Sequence, residues 1–368
     1  MKNPNQYMNL ALDLAKQAQG VCNPNPAVGA VIVSADGRVI GSGHTQAAGS
    51  AHAEIMALND AAHQGNDVGG GTLYVTLEPC SHHGRTGPCC DAIVDSGITA
   101  VVASIADPNP MVAGRGFDRL RSAGVTTTVG LGAEISRELN IGFFSRMVRK
   151  SPWVRMKIAA SLDGKTALEN GSSQWITSDL ARADGHAWRA RSCAMLTGVG
   201  TILKDNPRLD VRLNNTRRQP QLVVLDSNLN TPPDAHIFMT DRSIYFYASK
   251  RNDLRQSALE ARGANIIYMP DENGQIDLTG MLHDMALREI NELHVEAGKT
   301  LNGSLVGENL VDEFIVYLAP KMIGNGQGMA CFGPIGELAK ALPLEFKSTD
   351  RLGPDLRIIA TVSGRSQF

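Results

Sequence analysis

His52-Ala53-Glu54, Glu78-Pro79-Cys80 and Cys89 are the residues of this chain whose types and spacing most directly suggest chemistry. One imidazole and two thiolates make a three-ligand set for Zn²⁺, whose tetrahedral preference then leaves a fourth position for water. Zinc brings the pKa of such a water down to about 7, which creates a hydroxide nucleophile at neutral pH. Glu54 is suited to moving protons rather than to binding metal. Hydroxide attack on an amidine-like ring carbon needs a proton on the ring nitrogen and another on the departing amine. One carboxylate beside the metal can make all these transfers, an action typically worth about 10²–10⁴-fold. H-x-E followed by P-C-x-x-C is the signature of zinc deaminases. Here eight residues separate Cys80 from Cys89, so the pattern is a variant. The intervening run, Ser81 to Pro88, is polar and glycine-containing, which makes it a candidate substrate rim with Arg85 available to a phosphate. A purely structural site would need a fourth ligand from Cys90 or His82. Cys90 precedes Ile93 and Val94 on one helix face and reads as packing. His44 and His63 are isolated, and neither is assigned a role.

The second half holds no standard dinucleotide fingerprint. Gly198-Val199-Gly200-Thr201-Ile202-Leu203 starts like G-x-G-x-x-G but ends on leucine, and Gly298-Lys299-Thr300 fails as a P-loop because Leu293 stands at the earlier glycine position. Glu296-Ala297-Gly298 nevertheless follows an apolar strand, LHV, and Thr300-Leu301-Asn302-Gly303-Ser304 reads as the opening of a helix. Such a turn offers backbone N–H groups and a helix dipole to phosphate. Gly198 and Gly200 follow AMLT in the same way. Both turns fall at strand C-terminal ends, where open α/β sheets bind ligands.

The elements that must position these residues follow from periodicity. Residues 5 to 19 form an amphipathic helix, with Met8, Ala11, Leu12 and Ala15 at helical spacing. VGAVIVSADGRVIGSG predicts a hairpin about Asp36-Gly37. Helix (54 to 63), strand (72 to 77), helix (89 to 96), strand (98 to 105), helix (113 to 123) and the strand VTTTVG then alternate, which implies a largely parallel sheet covered on both faces. Pro152 precedes a new strand, WVRMKIAAS, placing a domain boundary near Lys150. The runs AMLTG, QLVVLD, IYFYA, NIIYMP, LHVEAG and EFIVYLAP predict a second α/β domain.

At 368 residues, the chain exceeds the roughly 250–300 at which one core stops growing. The net charge of -2 gives no general basic field for nucleic acid, so a small-molecule substrate is expected. No apolar run approaches the roughly 18 residues of a membrane span, and the first residues lack a signal peptide's core, which places the chain in the cytoplasm. Six cysteines are too few for a disulfide framework at this length.

TLEPCSHHGRTGPCC, with PNPAVGAVIV, AHAE and ADPNPMVAGRG, closely resembles the deaminase half of bifunctional riboflavin-biosynthesis deaminase/reductases. KIAASLDGKTA, SQWITS, LTGVGTILKDNPRLDVR, VVLDS, VEAGKTLNGSL and DEFIVYLAPKMIG resemble the reductase half, and together the motifs run from about residue 7 to 360. One departure is Gly87, where the family more often has proline. The resemblance implies a cytidine-deaminase-like mixed-sheet domain over 1–150 and a dihydrofolate-reductase-like α/β domain over 151–368. It places the zinc ligands on His52, Cys80 and Cys89 and the proton shuttle on Glu54. NADPH contacts fall on Ala159, Trp175, Thr201, Asp205, Ser227 and the turn Gly298, Lys299, Thr300, Leu301, Asn302, Gly303, Ser304. Contacts to a phosphoribosylaminopyrimidine substrate fall on Ser173, Arg189, Leu209, Arg212 and Glu296. Arg189 and Arg212 suit a sugar phosphate because a guanidinium holds phosphate oxygens bidentately. Reduction of an opened, imine-like ribosylamine needs a hydride at the sugar C1 and a proton, and either Lys157 or Asp205 can deliver the proton. Asp205 reads equally as a turn residue before Asn206-Pro207. A homo-oligomer is expected from the resemblance alone. Two rival readings remain at this level: a nucleic-acid base deaminase with an unrelated second domain, and a non-catalytic zinc-stabilised NADPH sensor.

Overall fold

The computed structural model describes residues 3–82, 87–110, 112–214, 216 and 218–368, and the chain divides into two compact units, Met1–Lys150 and Ser151–Phe368. Arg85 lies outside the described residues.

In the first unit, α1 (Pro4–Ala18) begins where the Asn3 side chain accepts the Asn5 N–H and proline occupies the first turn, a position with no backbone donor to lose. Its apolar side, including Tyr7, Met8, Ala11, Leu12 and Ala15, is buried. The hairpin forms from β1 (Gly29–Val33) and β2 (Val39–His44), with Gly37 at a left-handed φ of 82°. There follow α2 (Ala53–His63), β3 (Thr72–Val75), α3 (Cys89–Asp95), β4 (Ala100–Ala103), α4 (Arg115–Ser122), β5 (Thr126–Val129), α5 (Ala133–Leu139) and α6 (Ile141–Arg149). The sheet order is β2-β1-β3-β4-β5. It is parallel only from β3 to β5, where helices make the crossovers; β1 runs antiparallel to both β2 and β3. The sheet is thus mixed, as the family resemblance implied, and the largely parallel sheet expected from periodicity alone is corrected, because the tight hairpin can pair only antiparallel and its first strand docks on β3.

Close approach of α2 to β2 depends on two glycines. A Cβ added to Gly43 would sit 2.4 Å from Met56 Cβ and 2.7 Å from the Ala57 nitrogen, and one added to Gly41 would sit 2.3 Å from the Ala57 oxygen. These residues let the helix whose first turn carries Glu54 settle directly on the sheet.

The second unit contains β6 (Trp153–Ser161), β7 (Lys165–Leu168), α7 (Asp179–Arg191), β8 (Ala194–Gly198), α8 (Val199–Asp205), β9 (Gln221–Leu225), β10 (Ile244–Ala248), α9 (Asp253–Glu260), β11 (Ala264–Tyr268), α10 (Leu278–Leu287), β12 (Glu292–Val295), α11 (Lys299–Gly307), β13 (Glu313–Ala319), β14 (Gly326–Gly328), β15 (Leu344–Leu352) and β16 (Asp355–Val362). Nine strands form one sheet in the order β11-β10-β9-β8-β12-β6-β13-β16-β15, parallel from β11 to β13 and antiparallel beyond. The parallel strands are continuous apolar runs because both faces are covered. Leu196 and Val223 enter one core cluster, whereas Met195, Leu222 and Val224 enter another, as strand alternation requires. The edge hairpin β15-β16 lies beyond the last strand read from the sequence. Its signal was the Gly353-Pro354 turn between two alternating segments.

Candidate active sites

His52 is the residue on which α2 starts, and Glu54 sits in its first turn, 4% exposed. Cys80 lies in the loop after β3, and Cys89 opens α3. This topology gathers residues from 37 positions of chain. The ligand atoms of His52, Cys80 and Cys89 lie within 4.8 Å of one another, and the two sulfurs stand 3.6 and 3.3 Å from His52 Nδ1. Zn–S bonds of about 2.3 Å and Zn–N bonds of about 2.0–2.1 Å at tetrahedral angles put such atoms roughly 3.5–3.8 Å apart, so the donor set fits zinc. The Cys89 N–H also donates to Cys80 Sγ at 3.3 Å. Contact with the Cys89 thiol, and then with His52, pulls Cys80 down to about 4 against its burial, while the same contact and burial push Cys89 up. Burial, followed by the charge on Cys80, raises Glu54 to about 7. A carboxyl group near that value both gives and takes protons at neutral pH.

Among the described residues, no fourth His, Cys, Asp or Glu joins the group. Cys90 turns away and donates to the carbonyls of Pro79 and Gly116, at 3.3 and 3.5 Å, and His82 is exposed. An open coordination position, the requirement for catalysis rather than scaffolding, fits this set.

Glu78 has a role the sequence reading did not assign. Its buried carboxylate accepts the N–H groups of Asp107 at 3.1 Å, Gly114 at 3.0 Å and Gly116 at 2.9 Å. A Cβ on Gly116 would lie 2.1 Å from the Pro79 oxygen, so only glycine lets the start of α4 close over this turn. The turn carrying Cys80 is thereby fixed to the protein on its far side. The clue was an acid immediately before Pro-Cys together with the later G-R-G.

In the second unit a cleft of about 1200 Å³ opens at the C-terminal ends of the parallel strands. Lys157 and Ala159 reach it from β6, Ser173 and Trp175 from the segment before α7, and Arg189 from α7. Thr201 and Asp205 come from α8, Leu209 and Arg212 from the loop after it, Ser227 from the end of β9, and Glu296 from the end of β12. Gly298, Lys299, Thr300, Leu301, Asn302 and Ser304 supply the turn into α11. Gly303 alone of the residues expected here is not on the wall: it packs on Cys331, whose oxygen would lie 1.9 Å from an added Cβ. Volume and glycine-bordered strand ends fit a dinucleotide with a second molecule beside it.

Glu296 organises the cleft. Arg189 grips it bidentately, Nε to Oε1 at 2.6 Å and the other arm to Oε2 at 2.8 Å, and also donates to the Asp210 carbonyl at 3.0 Å. The guanidinium that the sequence reading offered to a sugar phosphate therefore already holds a carboxylate. Lys157 Nζ stands 3.9 Å from the same Glu296. Burial lowers the Lys157 pKa, opposed by Glu296; for Glu296 the burial effect is outweighed by Arg189 and Lys157, which hold it well below the carboxylate range. Asp205 is the exposed last residue of α8. Trp175 is 63% exposed on the cleft wall, with the Arg182 guanidinium 4.4 Å from its ring centre, and so does not belong to the core.

Residues 152–358 match the family described as the RibD C-terminal domain, and residues 1–105 match the cytidine and deoxycytidylate deaminase zinc-binding region. The chain is 42% identical over 363 residues to riboflavin biosynthesis protein RibD of Escherichia coli (strain K12), covering 95% of this chain and 97% of that protein. It is 40% identical over 352 residues to the protein of the same name from Aquifex aeolicus (strain VF5), covering 96% of each. Among solved structures it is similar to Acinetobacter baumannii RibD (TM-score 0.89, 35% identity, 98% of both chains). It is also similar to a Thermotoga maritima diaminohydroxyphosphoribosylaminopyrimidine deaminase/5-amino-6-(5-phosphoribosylamino)uracil reductase (TM-score 0.87, 31% identity, 97% of this chain and 98% of that one). Matched in both halves and along nearly its whole length, the chain belongs to the bifunctional RibD family of riboflavin biosynthesis.

Proposed function

We propose that residues 1–150 hydrolytically deaminate 2,5-diamino-6-(5-phosphoribosylamino)pyrimidin-4-one to 5-amino-6-(5-phosphoribosylamino)uracil, and that residues 151–368 then use NADPH to reduce the ribosyl group to the ribityl chain. The observation that supports this reading most is the three-donor set with a fully enclosed carboxylate beside it. Zinc, when bound, supplies Lewis acidity and an activated water. His52, Cys80 and Cys89 hold the ion. Glu54 would take one proton from the water and pass it to the ring nitrogen, then take the second from the hydroxyl added to the ring carbon and pass it to the amine, which leaves as ammonia as the C–N bond breaks and the carbonyl forms, so the carboxylate is regenerated.

NADPH supplies the hydride of the second step. The Gly298 turn and the first N–H groups of α11 would bind its phosphates, and Trp175, Ala159, Thr201, Asp205 and Ser227 would complete its wall. Ser173, Arg189, Leu209, Arg212 and Glu296 hold the substrate, with Arg189 also fixing Glu296. Between the two proton donors left open by the sequence, Lys157 is favoured: it is mostly buried beside Glu296, whereas Asp205 is exposed. Lys157 would give its proton to the nitrogen of the opened ribosylamine, balancing hydride addition at C1. The substrates are small molecules, and no helix among the described residues is long and apolar enough to cross a membrane. The enzyme works in the cytoplasm as a homo-oligomer and does not act on nucleic acid.

Purified, reduced protein is expected to carry about one zinc per chain; metal analysis finding none with intact thiols removes the first half of the proposal. Lys157→Met should slow reduction by at least about 10²-fold at saturating NADPH. Asp205→Asn should mainly raise the NADPH KM. Stopped-flow reduction rates showing the reverse pattern transfer the proton-donor role to Asp205.

A further inference from the structure

Lys157 is paired in register with Ile315 of β13, which packs with Ala181 of α7, so its side chain lies on the sheet face that this helix covers. Among the described residues, its ammonium meets two groups. Glu296 Oε2 is 3.9 Å away, too far for a hydrogen bond, and the ring of Tyr317 lies beneath it, 5.9 Å from Nζ to the ring centre. The Lys157 side chain is 24% exposed, so much of its water is gone, yet neither neighbour takes one of its three N–H donors.

The tyrosine is itself held from outside the cleft. Tyr317 is 1% exposed, and its hydroxyl donates to Asp184 of α7 at 2.6 Å. Arg357 of β16 donates to the same carboxylate at 2.9 and 3.1 Å, and its other arm donates to Asp350 of β15 at 2.7 Å. Strand register accounts for the meeting. Asp350 is paired with Arg357, Arg357 with Tyr317, and Tyr317 with Ala159 of β6. Directly opposed residues share a face, so one row runs from the sheet edge to the strand that carries Lys157. None of Tyr317, Asp184, Arg357 and Asp350 lines the cleft. The edge hairpin thus fixes the hydroxyl end of a ring whose face is turned to the ammonium.

We propose that Tyr317 is a positioning residue for the proton donor of the reductase: its ring, aimed by Asp184 and Arg357, holds the Lys157 ammonium in the cleft without occupying an N–H. The proposal rests on reading Lys157 as that donor. An aromatic face attracts a cation through its quadrupole, more strongly where water is excluded. It therefore favours the ammonium over the amine, the state from which a general acid must start. A second carboxylate in this place would attract the ammonium too, but would hydrogen-bond the proton that has to leave. The charged or titratable groups around Lys157 are Arg155 on its own strand, His294 and Glu296 on β12, Arg189 and Asp184 on α7, and Tyr317. Burial favours the amine, Glu296 opposes it and Arg189 adds to it; the ring sides with Glu296.

The test follows single-turnover hydride transfer from NADPH to preformed deaminated substrate in the full-length enzyme, from neutral to strongly alkaline pH. Wild type should lose rate above the pKa of the ammonium, and Lys157→Met should lose this alkaline limb together with most of the rate. Removing the ring removes a preference for the ammonium, so Tyr317→Leu should move the limb down by about half a unit to one and a half units. Tyr317→Phe, which keeps the ring, should restore it. The substrate KM and the NADPH Kd, the latter from fluorescence titration, should stay as in wild type and show that the variants are folded. Because leucine disturbs packing, phenylalanines bearing one, two or three ring fluorines are also placed at position 317. They keep the shape and progressively weaken the negative face, so the limb should step down with each fluorine; a residue that only fills space gives no such gradation. A limb that stays in place through the fluorinated series, in an enzyme whose limb Lys157→Met abolishes, overturns the positioning role alone. Tyr317→Phe shifting as far as Tyr317→Leu assigns the effect to the hydroxyl and overturns it too. If Lys157→Met keeps the wild-type limb and rate, the donor assignment and the proposal fall together.

Discussion

Glu54→Gln is expected to lower deamination by at least about 10²-fold while zinc stays bound. Glutamine keeps the shape of the side chain and its hydrogen bonding but cannot accept a proton and return it. The residue is enclosed in the first turn of α2 and is not one of the grouped ligand atoms, so its replacement leaves the donor set intact. Reduction of preformed deaminated substrate continues, because every residue lining the reductase cleft lies beyond Lys150. The measurements are ammonia release, NADPH oxidation on the deaminated substrate, and zinc content of the same preparation. Normal deamination by folded, zinc-loaded variant removes Glu54 from the mechanism. Equal loss of both activities in that protein contradicts the division of labour between the units.

Arg155→Met is expected to cost the second unit about 3–5 kcal/mol, the usual penalty for stranding buried charge. Arg155 is 1% exposed and donates to Glu292 at 2.7 Å and to Glu313 at 3.0 and 3.2 Å. Arg191 also reaches Glu292, at 3.2 Å, and the Trp153 indole donates to Glu313 at 2.9 Å. Methionine leaves both carboxylates short of a cation where water cannot replace it. The three tryptophans, Trp153, Trp175 and Trp188, all belong to this unit, so fluorescence-monitored urea unfolding reports on it alone. A loss below about 1 kcal/mol would show the cluster relaxing or taking in water. Acid gives a second reading. Burial favours protonation of Glu292, but Arg191 and then Arg155 prevail and hold it at about 2, below its ordinary 4.5. A depressed carboxylate contributes stability that is present above the ordinary value and is lost as pH falls through the folded one. Wild type therefore loses this contribution between about pH 4.5 and pH 2.

The first site was legible because its chemistry is local: His52 and Glu54 share one helical turn, and only Cys80 and Cys89 had to be brought in by the fold. Strand and helix identities in the first half were legible too, since period and turn residues are local signals. Strand direction was not: nothing within residues 29–33 says that β1 will run against both neighbours. In the second unit the wall of the cleft could be named from motifs, but its internal pairings could not. Arg189 and Glu296 are 107 positions apart, and the choice between a phosphate and a carboxylate as partner for Arg189 is made by β12 lying next to β8 and β6.

The three N–H groups gathered by Glu78 bear on what a chelator does to the first unit. Small zinc modules whose fold is made by the ion collapse when a chelator takes it. Here the turn under Cys80 is anchored by a carboxylate and by α4, both independent of the metal. Removing the ion is therefore expected to empty the site without unfolding the turn beneath it.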